Sequence, residues 1–302
     1  MAETRRGFIL GAAAYSIWGL FPLYWPLLKP AGAVEILAHR IVWSLLVMAV
    51  LIVVLNRRRQ FKAMLASRHT RLFLGVAAVV ISVNWGTYIY GVNNERVVEA
   101  SLGYFLNPVV TVLMGVLILG ERLRTMQWVA MAIATIAVLG LAIEYGEPPW
   151  VALVLAFSFG TYGLAKKKAN AGAVESLFLE TLLLTPVALV YIGWLTVSGS
   201  AHFGNEGVSH MALIATTGIV TAIPLICFGA AATRVTLTTI GLLQYLAPTL
   251  QFLLGVFLFH EPMPALRWAG FALVWVALVI FTVESLNHHR RQLRLSVEAA
   301  AI

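Results

Sequence analysis

Glu99-Ala-Ser-Leu-Gly-Tyr-Phe-Leu-Asn-Pro108 runs on through Gly115-Val116 to Gly120-Glu121, and Trp128 closes the stretch. Its pattern returns 140 positions later: Leu102, Leu106, Pro108, Leu113, Gly115, Val116, Glu121 and Trp128 recur as Leu242, Leu246, Pro248, Leu253, Gly255, Val256, Glu261 and Trp268. The same offset carries Ala31-Gly-Ala-Val-Glu35 onto Ala171-Gly-Ala-Val-Glu175. Two separate matches at one spacing mark a duplicated unit of about 140 residues.

Composition says where such a unit lives. The 302-residue chain is 60% hydrophobic and 11% charged, less than half the charge of an ordinary soluble domain, about 25%. Its mean hydropathy is +0.87, so the chain reads as an integral membrane protein. All 13 acids are Glu, and the single Cys227 excludes a disulfide framework within one chain. The net charge of +8 sits in short basic clusters between apolar runs, the pattern of lipid headgroup contact rather than nucleic-acid binding. No Gly-x-x-x-x-Gly-Lys-Ser/Thr loop offers a site for ATP.

Ten apolar runs are long enough to be helical spans, at about 20 residues each: residues 7–28, 34–55, 72–92, 97–119, 126–144, 150–165, 175–197, 210–231, 238–259 and 267–286. Strands are excluded by the lack of sustained period-two alternation. Thr4-Arg5-Arg6-Gly7-Phe8 resembles a twin-arginine export signal, but the run continues through Trp18 and Trp25 to Leu28, too long for a cleaved segment. With the N-terminus in the cytoplasm, 17 of 21 Lys and Arg fall on the cytoplasmic side, as the positive-inside rule requires. Both termini are then cytoplasmic.

The expected fold is therefore an all-α integral membrane protein of ten transmembrane helices in two five-helix repeats, residues 1–145 and 146–288, followed by a basic cytoplasmic tail, 289–302. Five is odd, so the second copy enters from the opposite side and the repeats are inverted. Such a pair suits alternating access, with the site between repeats near midplane.

Pro108 and Pro248 occupy equivalent places in spans four and nine, where each frees a carbonyl and permits a hinge. Membrane helices also tolerate proline without hinging. Arg40 lies inside span two beside His39, and adding 140 lands on Glu180 in span seven. Buried charges in a bilayer mark pathways or pair with neighbouring helices. They enter from opposite faces of a core about 30 Å thick, leaving a gap near 12 Å, so a direct bridge is not expected. The expectation is that Arg40 serves the outer half, paired with Glu99, and Glu180 the inner half. Asn84, Trp85, Tyr88, Tyr104, Asn107, Tyr162, Gln244 and Tyr245 are amides and aromatics inside spans. They either line a wet pocket for an uncharged or zwitterionic substrate or hold helices together. Cys227 reads as core packing. His288-His-Arg-Arg291 lacks the spacing and acidic partners of a metal site.

Ala13-Ala-Tyr-Ser-Ile-Trp-Gly19, Glu35-Ile-Leu-Ala-His-Arg40, Glu99 to Pro108, and Leu119-Gly-Glu-Arg122 with Gln127-Trp128 together resemble the RarD branch of the EamA-type transporters, in the drug/metabolite transporter superfamily. The resemblance runs nearly end to end. It implies a bacterial inner-membrane permease, a central cavity built by helices one to four and six to nine, and helices five and ten at the periphery. It also implies transport of small metabolites, amino acids or drugs, often as export, with no cofactor. The second repeat has His260-Glu261 where the first has Gly120-Glu121, which departs from the family's Gly-Glu pattern.

The functional expectation is a secondary transporter, not an enzyme, with a small molecule and membrane lipid as its partners. If transport is proton-coupled, Glu180 and His39 are the in-span groups able to carry the proton. A channel or facilitator is the nearer alternative. A membrane-embedded enzyme is the more distant one, since no Asp, His-Glu-x-x-His or Gly-x-Ser-x-Gly is present.

Overall fold

The computed structural model of the chain describes residues 2–119 and 123–300; it is helical, with no strand among the described residues. Helix α1 is Ala2–Gly19, α2 Phe21–Tyr24, α3 Ala33–Val54, α4 Arg58–Ala66, α5 Arg68–Asn93, α6 Val97–Leu119 and α7 Thr125–Tyr145. The second half holds α8 Trp150–Ala169, α9 Ala173–Val197, α10 Val208–Ala215, α11 Thr217–Ala232, α12 Leu237–Leu243, α13 Leu246–Leu253 and α14 Ala265–Ala300. A 3-10 turn, Trp25–Leu28, follows α2, and a π-helical turn, Leu254–Leu258, follows α13.

Eight stretches are long and apolar enough to cross a membrane, and the pair Glu3–Gly19 and Phe21–Leu28, bent by 43°, makes a ninth. The bend falls where Pro22 and Pro26 remove amide donors from successive turns. The tenth span expected from the sequence, α8, is a 20-residue helix whose last turn carries Lys166, Lys167 and Lys168, which lowers its hydropathy below that of the others. Large apolar side chains such as Val190 (74% exposed) and Ile143 (78%) face outward, a surface that hydrocarbon and not water would cover. This is a multi-pass membrane protein.

Exchanging residues 140 apart maps the helix packing onto itself. Helix α5 packs on α8 as α11 packs on α1, α6 packs on α8 as α13 packs on α1, and α5 meets α9 as α11 meets α3. The pairs α3 with α9, α6 with α13 and α7 with α14 join a helix to its own counterpart. Two buried clusters fill the interior. One, around Leu102, Phe105, Leu141 and Phe271, joins α6, α7 and α14; the other, around Phe21, Trp25, Tyr88, Leu155 and Ile214, surrounds the site described below.

The paired prolines sit in unlike helices. Helix α6 continues through Pro108, whereas Pro248 lies in α13, which is separated from α12 at Gln244-Tyr245. That break includes the residue four before Pro248, whose carbonyl the proline ring displaces. Helix α6 lies close against α8: a Cβ on Gly103 would lie 2.7 Å from the Ala152 carbonyl, so only glycine admits this approach. The counterpart of Gly103 is Leu243, which meets α1 at Gly11, so the close approach there uses a glycine of the partner helix.

Candidate substrate site around Arg40

Helix α3 begins at Ala33 and brings Arg40 two turns into the protein, where the residue is 3% exposed. Its Nε donates to Thr221 Oγ1 of α11 at 3.0 Å. The guanidinium carbon lies 3.9 Å from the ring centre of Trp85 and 5.0 Å from that of Trp25, with Phe21 at 6.0 Å. Tyr24, Tyr88 and Tyr104 stand nearby. Among the described residues no carboxylate lies within ion-pair distance of Arg40. Desolvating a cation costs several kcal/mol, and a desolvated cation over an aromatic face recovers about 2 kcal/mol. The rings offset part of that cost.

Unused hydrogen-bonding capacity collects here. Arg40 Nη1, the Trp25 indole N–H and the Tyr88 hydroxyl are buried without partners, as is the acceptor oxygen of Gln251 beside Tyr88. Gln251, on α13, spends its amide group on the Trp18 carbonyl at 3.2 Å. Tyr104, Asn84 and Ser158 are satisfied. Tyr104 donates to Asn84 Oδ1 at 3.3 Å, and Asn84 Nδ2 donates to the Leu155 carbonyl and to Ser158 Oγ at 3.1 and 3.0 Å. The Tyr88 and Tyr104 rings meet edge to face with centres 5.5 Å apart.

Arg40, Asn84, Trp85, Tyr88 and Tyr104 thus come together, and the sequence reading named all five. It missed Phe21, Trp25, Thr221 and Gln251. Phe21 and Trp25 each precede a proline, Pro22 and Pro26, a local signal of a broken helix; nothing in the local sequence singles out Thr221 or Gln251.

The remaining candidates lie elsewhere. Glu99 does not pair with Arg40: its Oε2 lies 3.4 Å from Arg96 Nη1, and its Oε1 accepts from the Val151 amide at 2.9 Å, at the start of α8. An exposed helix end offers unpaired amides, and Glu99 satisfies one. Glu261 does the same for α6, accepting from the Val97 and Val98 amides at 2.5 and 2.9 Å. Its counterpart Glu121, with Gly120 and Arg122, lies outside the described residues, as do the side chains of His288 to Arg291.

Glu180 is wholly buried and paired with Lys166 at 2.8 Å, while accepting from the Tyr162 hydroxyl at 3.2 Å. The sequence reading had placed Lys166 in a cytoplasmic loop; α8 extends through it to Ala169. His39 stacks on Phe203 at 4.4 Å. Tyr245 shares a hydrogen bond with Thr282 of α14 at 3.2 Å, Asn107 Oδ1 is buried without a partner, and Gln244 closes α12.

The model of the EamA-like transporter family matches the chain twice, over residues 5–143 and 149–283. Protein RarD of Streptomyces exfoliatus is 58% identical over 299 residues, 99% of this chain and 95% of that protein. The uncharacterized transporter YojE of Bacillus subtilis is 42% identical, covering 96% of this chain and 97% of the relative. The chloramphenicol-sensitive protein RarD of Pseudomonas aeruginosa is 29% identical over 98% of this chain and all of that protein. One solved crystal structure shares the fold with a TM-score of 0.59 at 17% identity, covering 92% of this chain and 97% of its own.

Proposed function

Because the chain belongs to the EamA-like transporter family, we propose that it is a secondary transporter moving small metabolites, amino acids or drugs across the bacterial inner membrane. Its ten helices form two inverted repeats, residues 1–145 and 146–288, and both termini lie in the cytoplasm. The substrate sits in the Arg40 cluster, and the protein alternates between inward- and outward-open states.

The observation that carries this reading is the packing of the two halves. The main helix contacts between the two halves map onto one another at an offset of 140. If the repeats are inverted, exchanging their conformations turns one open state into the other. Opening at the outer end would release Glu261 from Val97 and Val98 and separate α6 from α13. The α12–α13 break before Pro248 supplies the flexible side of that motion, and α6 the stiffer side.

Glu180 holds the inner half together through Lys166 and Tyr162. It could carry a proton only if Lys166 moved away, so transport driven by exchange or by the solute gradient fits this arrangement better. The test is flux from proteoliposomes loaded with a mixture of amino acids, small metabolites and amphenicols, read by mass spectrometry. Saturable loss of one solute class, accelerated by the same solutes outside, is expected. No protein-dependent flux of any class, or flux that does not saturate and shows no counter-transport, overturns the reading.

A further inference from the structure

We infer that the Arg40 cluster binds the carboxylate of an organic monoanion, with the apolar body of the ligand held against aromatic walls. The inference rests on the transport reading above and names the substrate class of the same site.

Three observations carry it. The first is the buried cation without an anion: Arg40 is 3% exposed, and its side chain has one hydrogen bond, to the neutral Thr221. The second is the kind of atom left unsatisfied. Arg40 Nη1 and the Trp25 indole can only donate, whereas the Tyr88 hydroxyl can also accept and the unpartnered amide oxygen of Gln251 lies beside it, so donors outnumber acceptors here. Gln251 can take the Tyr88 proton, which still leaves the guanidinium and the indole seeking an acceptor. Buried donors without acceptors are costly, and an oxyanion is the ligand that relieves them. The third is the contrast with Glu180, whose charge is neutralised by Lys166 at 2.8 Å.

The charge count selects a monoanion. The guanidinium is surrounded by Phe21, Trp25, Trp85 and the nearby tyrosines, and no second cation joins it. Lys166 is committed to Glu180, and His39 stacks away on Phe203. One fixed positive charge matches one carboxylate, and a planar guanidinium suits its two oxygens. A zwitterionic ligand would also need an acceptor for its ammonium group, and the acids at the starts of α3 and α6 are engaged elsewhere. Glu35 accepts from the His202 and Phe203 amides at 2.7 and 3.1 Å, and Glu99 from Val151. The aromatic rings around Arg40 would cover an apolar body.

The probes are two matched pairs, benzoate with benzamide and phenylacetate with phenylacetamide, assayed at neutral pH by thermal shift on the purified full chain. The acids are expected to bind at least about tenfold tighter than the amides, because the amide brings an N–H where the site presents donors. Arg40→Gln should abolish that preference, and Arg40→Lys should retain part of it. Amides binding as tightly as acids, binding of neither, or an undiminished preference in Arg40→Gln overturns the inference. If Arg40→Gln does not fold, the acid-against-amide comparison on the wild type decides alone. Benzoate that binds but drives no exchange in proteoliposomes would sink the transport reading and leave the anion site standing. Exchange of other solutes by a protein indifferent to carboxylates would do the reverse.

Discussion

Arg40 and Glu180 occupy the same register of equivalent helices and carry opposite charges, yet the protein treats them differently. Glu180 receives a Lys166 ammonium at 2.8 Å and a Tyr162 hydroxyl at 3.2 Å. Arg40 receives a threonine hydroxyl and aromatic faces. One charge is neutralised by its own fold; the other is held in a shape that leaves donors free. Two positions 140 residues apart thus hold buried charges of opposite sign, one fastened to a counter-ion and the other, on the reading proposed above, open to a ligand.

The largest expected effect tests the fastening. Glu180→Ala strips the Lys166 ammonium of its anion and should cost about 3–5 kcal/mol, as broken buried pairs do. Thermal unfolding in detergent measures it, and the double variant Lys166→Met with Glu180→Met should recover most of the loss. A loss below about 1 kcal/mol would place this pair among weak exposed ones and blur the contrast.

Arg40→Met should have the opposite sign. Replacing a buried ion by an apolar side chain of similar length is neutral or stabilising by about 1–4 kcal/mol when no counter-ion is stranded. The same variant should lose carboxylate binding. A large destabilisation would mean that Arg40 has a structural anionic partner, and the comparison would break.

Gly218 sharpens the geometry. A Cβ there would collide with the Trp43 carbonyl of α3, close to Arg40 and one turn before Thr221. Gly218→Ala should cost about 1–3 kcal/mol by overpacking and weaken carboxylate binding by shifting Thr221. Its counterpart is already an alanine, Ala78. Ala78→Gly should therefore cost no more than about 1 kcal/mol, the helix propensity difference, and leave binding unchanged.

The smallest effect concerns the start of α6. Glu261→Ala leaves the Val97 and Val98 amides without their acceptor, and the loss of such a cap costs about 0.5–2 kcal/mol. Hydrogen exchange at the first turn of α6 should rise in this variant, with little change at α3 or α9.

Much of this was legible before any coordinates. Hydropathy placed the spans, and α3, α6 and α9 begin and end within two residues of the expected bounds. The same reading found Arg40, Asn84, Trp85, Tyr88 and Tyr104, because polar and charged residues inside apolar runs stand out. It could not assign partners. Opposite sign points to Glu99 as the partner of Arg40, but Glu99 turns to the Val151 amide and Arg96 instead. Lys166 was read as a loop residue, since a run of three lysines ends a hydropathic signal whether or not the helix continues beneath it. Thr221 and Gln251 gave no signal, being ordinary polar residues on helices distant in sequence.

Sequence by itself determined that the chain is helical, membrane-embedded and built from a unit read twice, because those properties follow from composition, periodicity and internal identity. Only the tertiary structure decided which buried charge is answered and which is left open. Neutralisation depends on distances of a few ångströms between helices far apart in the chain, and no local pattern records them.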